Sequence, residues 1–432
     1  MSNKNQSLRI SLRIRLFFRQ FPATPYLIKW LFISLVTGTC IGIASAVFLL
    51  SLDWVTHFRE THLWLIALLP VGGFGIGWLY MHYGKNIEAG NNLLIDTIHQ
   101  PQGIIPLRMA PFIYLGTMVT HLLGGSAGRE GTALQMAGAI ADQFSKPFRL
   151  KESERRILII SAIAAGFGSV FGTPLAGAVF GLEFFRIGKI RYDALLPAFL
   201  SAIIADLVTR LCGAHHTVYA IGQVPVIAAM PVIYAIAAGV AAGLCAATFS
   251  RTIHFVNNIF KTFISYAPLR PLAGGAIVAL AIWLMGTTKY IGLGIPIIAE
   301  AFHAQLPPYD FALKMIFTIV TLAAGFKGGE VTPLFFIGAT LGNALSYFIP
   351  LPMGLLAGMG FVAVFAGATN TPLACMLMGI ELFGAECGIY VAIACVVAYL
   401  FSGNTTIYRK QMIGEPKHSK FANYKGKRIS EL

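Results

Sequence analysis

Long apolar stretches without a charged residue dominate this chain. Residues 30–52 and 157–182 contain no charge, and neither do the fifty residues 331–380. An apolar stretch of about 20 residues is long enough to cross the hydrocarbon core of a bilayer as a helix. The pattern therefore predicts an all-α polytopic membrane protein with roughly ten or more membrane segments.

The composition agrees with this interpretation. Only 12% of residues are charged, and the mean hydropathy is +0.71. A soluble protein of this length needs more surface charge, which disfavours a large apolar enzyme core. The 45 Gly and 21 Pro are spread within the apolar stretches. They predict interrupted helices, and non-helical backbone at membrane depth is tolerated only where it is buried or lines a cavity.

Two glycine-rich segments repeat one another. Residues 125–134 (GSAGREGTAL) and 325–334 (GFKGGEVTPL) share Gly, Gly, Glu, Thr and Leu at an offset of 200. Residues 173–183 match 371–381 at an offset of 198. The order of the matched blocks is preserved, which predicts a duplicated unit. Duplicated membrane halves often form inverted repeats, whose broken helices meet near the bilayer midplane.

The repeat predicts four parts. They are a basic N-terminal segment (1–24), a first membrane repeat (25–222), a second membrane repeat (223–412) and a short basic tail (413–432) without a regulatory domain.

The net charge of +14 comes from basic residues at the edges of the apolar stretches. They cluster before residue 20, in 146–156, in 186–191 and from Arg409 onward. The positive-inside rule places these clusters, and so both termini, in the cytoplasm. This distribution does not suggest a nucleic-acid partner. The segment up to Arg19 is either an amphipathic helix on the inner leaflet or only a topology signal.

Glu130 is the first candidate for function. The start of a helix presents free N–H groups and a partial positive charge, which suits an anion. An ionised carboxylate competes with a permeating anion for those groups, which couples protonation to anion binding. A glutamate inside the membrane is a functional candidate by default. The alternative is a capping or ion-paired carboxylate, with Arg129 as the nearest partner.

At these residues the chain resembles the CLC family of anion channels and anion/proton antiporters. Residues 128–131 match its GREG segment, with Thr132 in place of the usual proline, and 402–404 with Tyr408 match the region of its pore tyrosine. The resemblance implies a CLC-type inverted repeat and a homodimer with one pathway per subunit. It also implies a transporter, not an enzyme, with Glu130 as the gating glutamate.

Two departures from the chloride-type pattern resemble the fluoride-exporting branch of the family. Residues 90–94 read GNNLL where chloride-type members read GSGIP, and Glu330-Val331 stands where they carry apolar residues. Asparagine amides supply N–H donors that can replace the water around a small, strongly hydrated ion. Alternatively, Asn91 and Asn92 are turn formers, and Glu330 is a helix-capping acid satisfied by Thr332.

A third departure concerns protons. The resemblance puts Glu183-Phe184 where chloride/proton exchangers carry two glutamates, so phenylalanine fills the slot of their internal proton carrier. The fluoride branch also lacks that carrier and is regarded as proton-coupled. Glu183 and its repeat partner Glu381 are expected to be structural, either capping loops or pairing with Arg186.

Two aromatic side chains complete the predicted site. The Tyr408 hydroxyl can donate to a central anion, although a plain interfacial tyrosine is the alternative. Of Phe335 and Phe336, Phe336 is the better candidate for an anion-facing ring edge. The predicted anion-binding residues are Asn91, Asn92, Arg129, Gly131, Glu330, Val331, Thr332, Phe336 and Tyr408.

The expected function is fluoride/proton antiport in a bacterial inner membrane, exporting cytoplasmic fluoride in exchange for protons. The six cysteines show no CxxC spacing, so we expect apolar packing for them and neither a metal nor a cofactor. Chloride/proton antiport or chloride conduction on the same fold is the first alternative. A structural or sensory membrane protein without transport is the second.

Overall fold

The structure, a computed structural model, describes residues 24–101 and 103–432. The amphipathic helix considered for the segment up to Arg19 lies outside the described residues, as does nearly all of the predicted N-terminal part. Within the described part the prediction of an all-α protein is confirmed, since the elements besides helices are two strands of two residues each.

Eight α-helices make up the first half of the described chain. They are α1 (Thr24–Thr61), α2 (Leu69–Tyr83), α3 (Asn91–His99), α4 (Met109–Leu122), α5 (Glu130–Asp142), α6 (Glu152–Phe171), α7 (Pro174–Glu183) and α8 (Leu195–Leu211).

Eight more follow in the same order. They are α9 (Ala229–Phe263), α10 (Leu269–Met285), α11 (Ile295–Glu300), α12 (Asp310–Ala323), α13 (Val331–Leu345), α14 (Met353–Thr369), α15 (Pro372–Phe383) and α16 (Gly388–Phe401). The packing repeats as well, because α1 packs on α8 as α9 packs on α16, while α2 meets α10 and α7 meets α15 across the two halves.

The apolar stretches do not correspond to single spanning helices. Among the described residues, four helical segments are long and apolar enough to cross a membrane, namely Thr24–Thr61, Leu63–Tyr83, Tyr192–Leu211 and Ala229–Phe263. The charge-free stretch 331–380 is instead divided into α13, α14 and most of α15. Proline, which has no N–H and cannot continue a helix from within, lies at both breaks. Seven further apolar helices among the described residues have 10–17 residues, so the expected ten or more spans stay a prediction.

Close helix contacts explain part of the glycine content. A Cβ on Gly338 of α13 would lie 2.1 Å from the Gly360 carbonyl oxygen of α14, and a Cβ on Gly360 would lie 2.1 Å from the Gly338 oxygen. Membrane helices gain contact mainly by such backbone approach, because lipid supplies little hydrophobic drive between them.

Two glutamates cap helices in the opposite half. Glu183, at the end of α7, accepts hydrogen bonds from Leu373 N (3.3 Å) and Ala374 N (3.0 Å) at the start of α15. Glu381 of α15 accepts from Leu175 N and Ala176 N at 2.9 and 2.7 Å. Each carboxylate thus satisfies free N–H groups at a helix start, in agreement with the structural role expected for both, although the caps are on helices and not on loops.

A buried ion pair holds the end of α5. Arg155 donates to both carboxylate oxygens of Asp142 at 2.7 Å, and Asp142 also accepts from Ile105 N at 2.8 Å and Ser145 Oγ at 2.8 Å. The Asp142 side chain is fully buried, so these four hydrogen bonds compensate its desolvation.

The segment after α16 folds back onto the helices. β1 (Arg186–Ile187) pairs in parallel with β2 (Met412–Ile413). Gln411, which is fully buried, donates to the carbonyls of Phe184 and Thr369, each at 2.7 Å. The tail is thereby attached to both halves of the protein.

Candidate anion site

The two glycine-rich segments meet at the centre of the protein. Gly128 N donates to Gly329 O at 2.6 Å, and Gly329 N donates to Gly128 O at 2.8 Å. The paired glycines are 201 residues apart, so the offset of 200 aligns these turns one residue out of register. Arg129 precedes α5 and Glu330 precedes α13. Glu130 and Glu330 are therefore not equivalent, and Val331 occupies the position that corresponds to Glu130.

The Glu130 carboxylate lies at the start of α13 and is fully buried. One oxygen accepts from Val331 N, and the other accepts from Thr332 N (3.2 Å), Thr332 Oγ1 (3.0 Å) and Arg129 N (2.9 Å). We call this position the carboxylate site. Its donors are backbone N–H groups and one hydroxyl at a helix start, the groups that bind anions in proteins.

Glycine is required around the carboxylate site. A Cβ on Gly329 would lie 2.0 Å from Glu130 Oε1, and a Cβ on Gly128 would lie 2.7 Å from Oε2. A Cβ on Gly131 would lie 3.2 Å from Asn91 Nδ2. Because Gly131 has no side chain, the start of α3 can approach the start of α5.

Glu330 is not a helix-capping acid, which was the alternative interpretation of this residue. Its side chain makes no capping hydrogen bond to α13, because Glu130 takes the donors of the first turn. Glu330 instead lines a cavity of about 170 Å³ together with Asn91, Asn92 and Tyr408. The predicted residues of the 90–94 loop, of the second glycine-rich segment and of the last helical region are thus brought to one cavity.

Two polar atoms that border this cavity are buried without a hydrogen-bond partner. They are the Tyr408 hydroxyl and Asn91 Oδ1. An unsatisfied buried polar group costs about 1–3 kcal/mol, which favours a bound partner. A half-turn of the Asn91 amide presents its two N–H donors instead of its oxygen. Asn92 Oδ1 accepts from Lys410 N at 3.1 Å, which leaves the Asn92 amide N–H groups for a ligand.

The cavity widens toward the tail. A larger cavity of about 790 Å³ shares Asn92, Lys327 and Glu330 with the smaller one and reaches Arg409. Besides Lys327 and Arg409, the basic side chains of Lys85, Lys261 and Arg270 line the larger cavity. We call these two cavities the tail-side cavities. Their positive charge attracts anions and raises their local concentration.

Another cavity, of about 580 Å³, lies beyond the other end of α10. Arg59, Arg129 and Lys289 are among the residues that line it. A small cavity of about 20 Å³ shares Arg129 with it and is lined by Thr332. Arg129 also lies over the Phe171 ring, at 5.7 Å from the ring centroid. The carboxylate site thus lies between this far-side cavity and the tail-side cavities.

Phe335, and not Phe336, lines the small cavity, and the anion-facing ring edge expected for Phe336 stays a prediction. Phe335 lines the small cavity next to Thr332 and stacks on Phe361 with ring centroids 4.0 Å apart. The Lys314 ammonium lies 5.2 Å from the centroid of the Phe336 ring, and Phe336 is not among the residues that line the cavities of about 20 and 170 Å³. Consecutive helix positions point about 100° apart, and packing on α14 decides which one faces the site.

Lys327 is the residue that the sequence analysis missed. Its Nζ lies 3.9 Å from the centroid of the Tyr80 ring, in the wall of both tail-side cavities. A cation over an aromatic face is stabilised by the ring quadrupole. The signal was available, because a lysine within a long apolar region is itself a functional candidate.

Comparison with known proteins agrees with this architecture. The family model described as voltage gated chloride channel matches residues 72–403. A chloride/fluoride channel protein of Pseudomonas syringae pv. tomato is 53% identical over 405 residues, which cover 92% of this chain and 90% of that protein. H(+)/Cl(-) exchange transporter ClcA of Vibrio parahaemolyticus is 25% identical over 389 residues, which cover 83% of each chain.

Solved structures show the same fold. The crystal structure of a CLC-type fluoride/proton antiporter superposes with a TM-score of 0.87 at 35% identity, covering 89% of this chain and 98% of that one. A slow cyanobacterial Cl-/H+ antiporter superposes with a TM-score of 0.76 at 19% identity, covering 87% and 94%. The second likeness bears on the fold alone.

Proposed function

This chain belongs to the CLC family of voltage-gated chloride channels and related antiporters, and we propose that it is a fluoride/proton antiporter that exports fluoride from the cytoplasm. The family membership rests on the matched residues 72–403 and on a relative that is 53% identical over 92% of this chain. A relative named for chloride and fluoride and a structural neighbour described as a fluoride/proton antiporter support the choice of ion.

One observation carries the proposal, namely that the Glu130 carboxylate binds donors that suit an anion. An ionised carboxylate fills the carboxylate site and excludes a free anion. Protonation removes its negative charge and weakens its hydrogen bonds, because charge-assisted bonds are about twice as strong as neutral ones. The side chain then leaves with the proton, and an anion takes its place. Alternating occupation couples anion and proton movement in opposite directions.

The choice of fluoride over chloride is supported by the tail-side cavity beside the carboxylate site. Asn91, Asn92 and Tyr408 contribute amide and hydroxyl groups there. A strongly hydrated ion enters only if such donors replace its water. Arg129, Val331 and Thr332 surround the carboxylate site itself, so an anion leaving the tail-side cavity meets these groups next.

The surroundings of the protein follow from charge and family. Basic residues line the tail-side cavities and occur along the tail, and by the positive-inside rule they support a cytoplasmic position for that side. We therefore propose a multi-pass protein of a bacterial inner membrane with both termini inside. We also propose a homodimer with one pathway in each subunit, as family membership implies.

Flux from proteoliposomes tests the proposal. Vesicles loaded with fluoride or with chloride are compared, and proton uptake is recorded in the same experiment. The wild-type protein should release fluoride faster than chloride and take up protons as it does so. Glu130→Ala should retain fluoride release without proton uptake, because the proton-carrying group is gone and the carboxylate site is empty.

Two results would overturn parts of the proposal. Chloride release as fast as fluoride release would leave a chloride transporter of the same fold. No flux of either ion from correctly folded protein would leave a structural or sensory role.

A further inference from the structure

The segment after α16 forms a compact hairpin, which we call the tail hairpin (residues 409–430). Ile413 N donates to Lys427 O at 2.9 Å, Gly426 N to Ile413 O at 2.7 Å, and Ile429 N to Gln411 O at 3.0 Å. Together with the β1–β2 pair and the buried Gln411, these bonds give the tail hairpin a defined position on the protein.

The tail hairpin binds one face of α3. Lys410 N donates to Asn92 Oδ1 at 3.1 Å, and Lys410 Nζ lies 3.6 Å from Asp96 Oδ2. Arg428 Nη1 lies 3.1 Å from Asp96 Oδ1, without the alignment of a hydrogen bond. Asn92 and Asp96 are four residues apart and so lie on the same side of the helix. Two parts of the tail hairpin therefore hold the side of α3 that carries Asn92.

Besides the tail hairpin, α3 contacts only a few residues of α5 and α6, against which Leu94 and Ile95 are buried. It has nine residues, and isolated helices shorter than about 12–15 residues are marginal in water. Gly90, at φ +58°, precedes it, and the carbonyl oxygens of Ala89 and Gly90 accept from Asn92 N (3.1 Å) and Leu93 N (3.0 Å). Its first two residues, Asn91 and Asn92, are the ones that border the tail-side cavity. Displacement of α3 would therefore move both amides.

We propose that the tail hairpin sets the geometry of the tail-side anion site by holding α3, with Asp96 and Arg428 as positioning residues. The inference rests on the proposed fluoride transport, in which Asn91 and Asn92 bind the ion. Neither positioning residue borders the cavity of about 170 Å³. Both act through α3, so their loss should weaken fluoride binding while the transport step stays intact.

The test measures initial fluoride efflux from proteoliposomes against internal fluoride concentration. Asp96→Asn and Arg428→Gln should each raise KM, by about threefold if the ion pair contributes what partly exposed pairs usually do. The maximal rate should stay near that of the wild-type protein. Arg428→Lys, which keeps the charge, should restore most of the lost affinity. Lys420→Gln removes an equal charge from an exposed position without an ion pair and is the matched control.

The double variant Asp96→Asn/Arg428→Gln separates positioning from general damage. Its KM should equal that of Asp96→Asn, because the pair is already broken in the single variant. A purely structural effect would lower the fraction of active protein, and so the maximal rate and the thermal midpoint, without changing KM. Unchanged KM in both single variants would overturn this inference while leaving fluoride transport standing. Failure of the wild-type protein to move fluoride would overturn the proposed function itself.

Discussion

Replacing Gly329 with alanine tests whether the anion path runs through the carboxylate site. The new methyl group would lie 2.0 Å from Glu130 Oε1, whereas real Cβ contacts are essentially never under 3.0 Å. Gly131 N would lie 2.6 Å from the same methyl group, so the carboxylate must retreat from it and the adjoining backbone must shift, which breaks the hydrogen bond from Val331 N to Glu130. Losing one charge-assisted hydrogen bond costs about 1.5–3 kcal/mol, so occupancy of the carboxylate site falls roughly tenfold to a hundredfold.

An ion in the same place meets the same methyl group. Gly329→Ala should therefore suppress fluoride efflux, whereas Glu130→Ala should permit efflux without proton uptake. The double variant Glu130→Ala/Gly329→Ala is decisive. Removing the Glu130 carboxylate cannot restore efflux if the methyl group introduced at position 329 fills the carboxylate site. We expect its fluoride efflux to be as slow as that of Gly329→Ala alone. Efflux as fast as that of Glu130→Ala would refute the reasoning. Gly75→Ala is the control for folding, since a Cβ there has nothing within 4 Å.

Three further predictions concern stability in detergent, with each variant's midpoint of thermal unfolding compared with that of the wild-type protein. Asp142→Asn leaves Arg155 without its buried partner and should destabilise by about 3–5 kcal/mol, unlike a change at an exposed ion pair. Glu183→Ala removes the cap of α15 and should cost about 0.5–2 kcal/mol; an unchanged midpoint would mean that water satisfies those N–H groups. Hydrogen bonds from Lys425 and Lys189 hold the pKa of Glu415 below its usual value. Their contribution is present above the unfolded-state pKa of about 4.3 and is lost as pH falls further. The midpoint difference between wild type and Glu415→Gln should therefore exist at pH 7 and shrink as pH falls below about 4.3; a difference constant with pH would contradict this assignment.

Periodicity and repetition predicted the fold class, because a hydrocarbon core imposes helices and long charge-free stretches on any chain that spans it. The turn that carries Glu130 was identifiable for a similar reason, since an acid at a glycine-rich helix start is costly unless it has donors. The residue-by-residue alignment of the two repeats was harder to predict. The doublet Gly328-Gly329 lets the repeat align in two ways, and only the pairing of Gly128 with Gly329 decides between them.

Contacts between distant segments were beyond sequence reasoning. Whether Phe335 or Phe336 faces the small cavity depends on how α13 rotates against α14. The tail carried no periodic pattern, and its partner Asp96 lies more than 300 residues earlier in the chain. A pattern read along one segment does not contain the position of another segment that packs against it.

The reciprocal caps of Glu183 and Glu381 bear on how the two halves can diverge during evolution. In a symmetric dimer of identical single repeats, one glutamate would supply both caps, and one codon change would alter both. In a fused chain each cap has its own codon, and so does each helix start at the centre. The contacts that join the halves can then stay symmetric while the counterpart of Glu130 becomes Val331. Fusion thus allows two otherwise symmetric halves to carry a glutamate at this position in one half only.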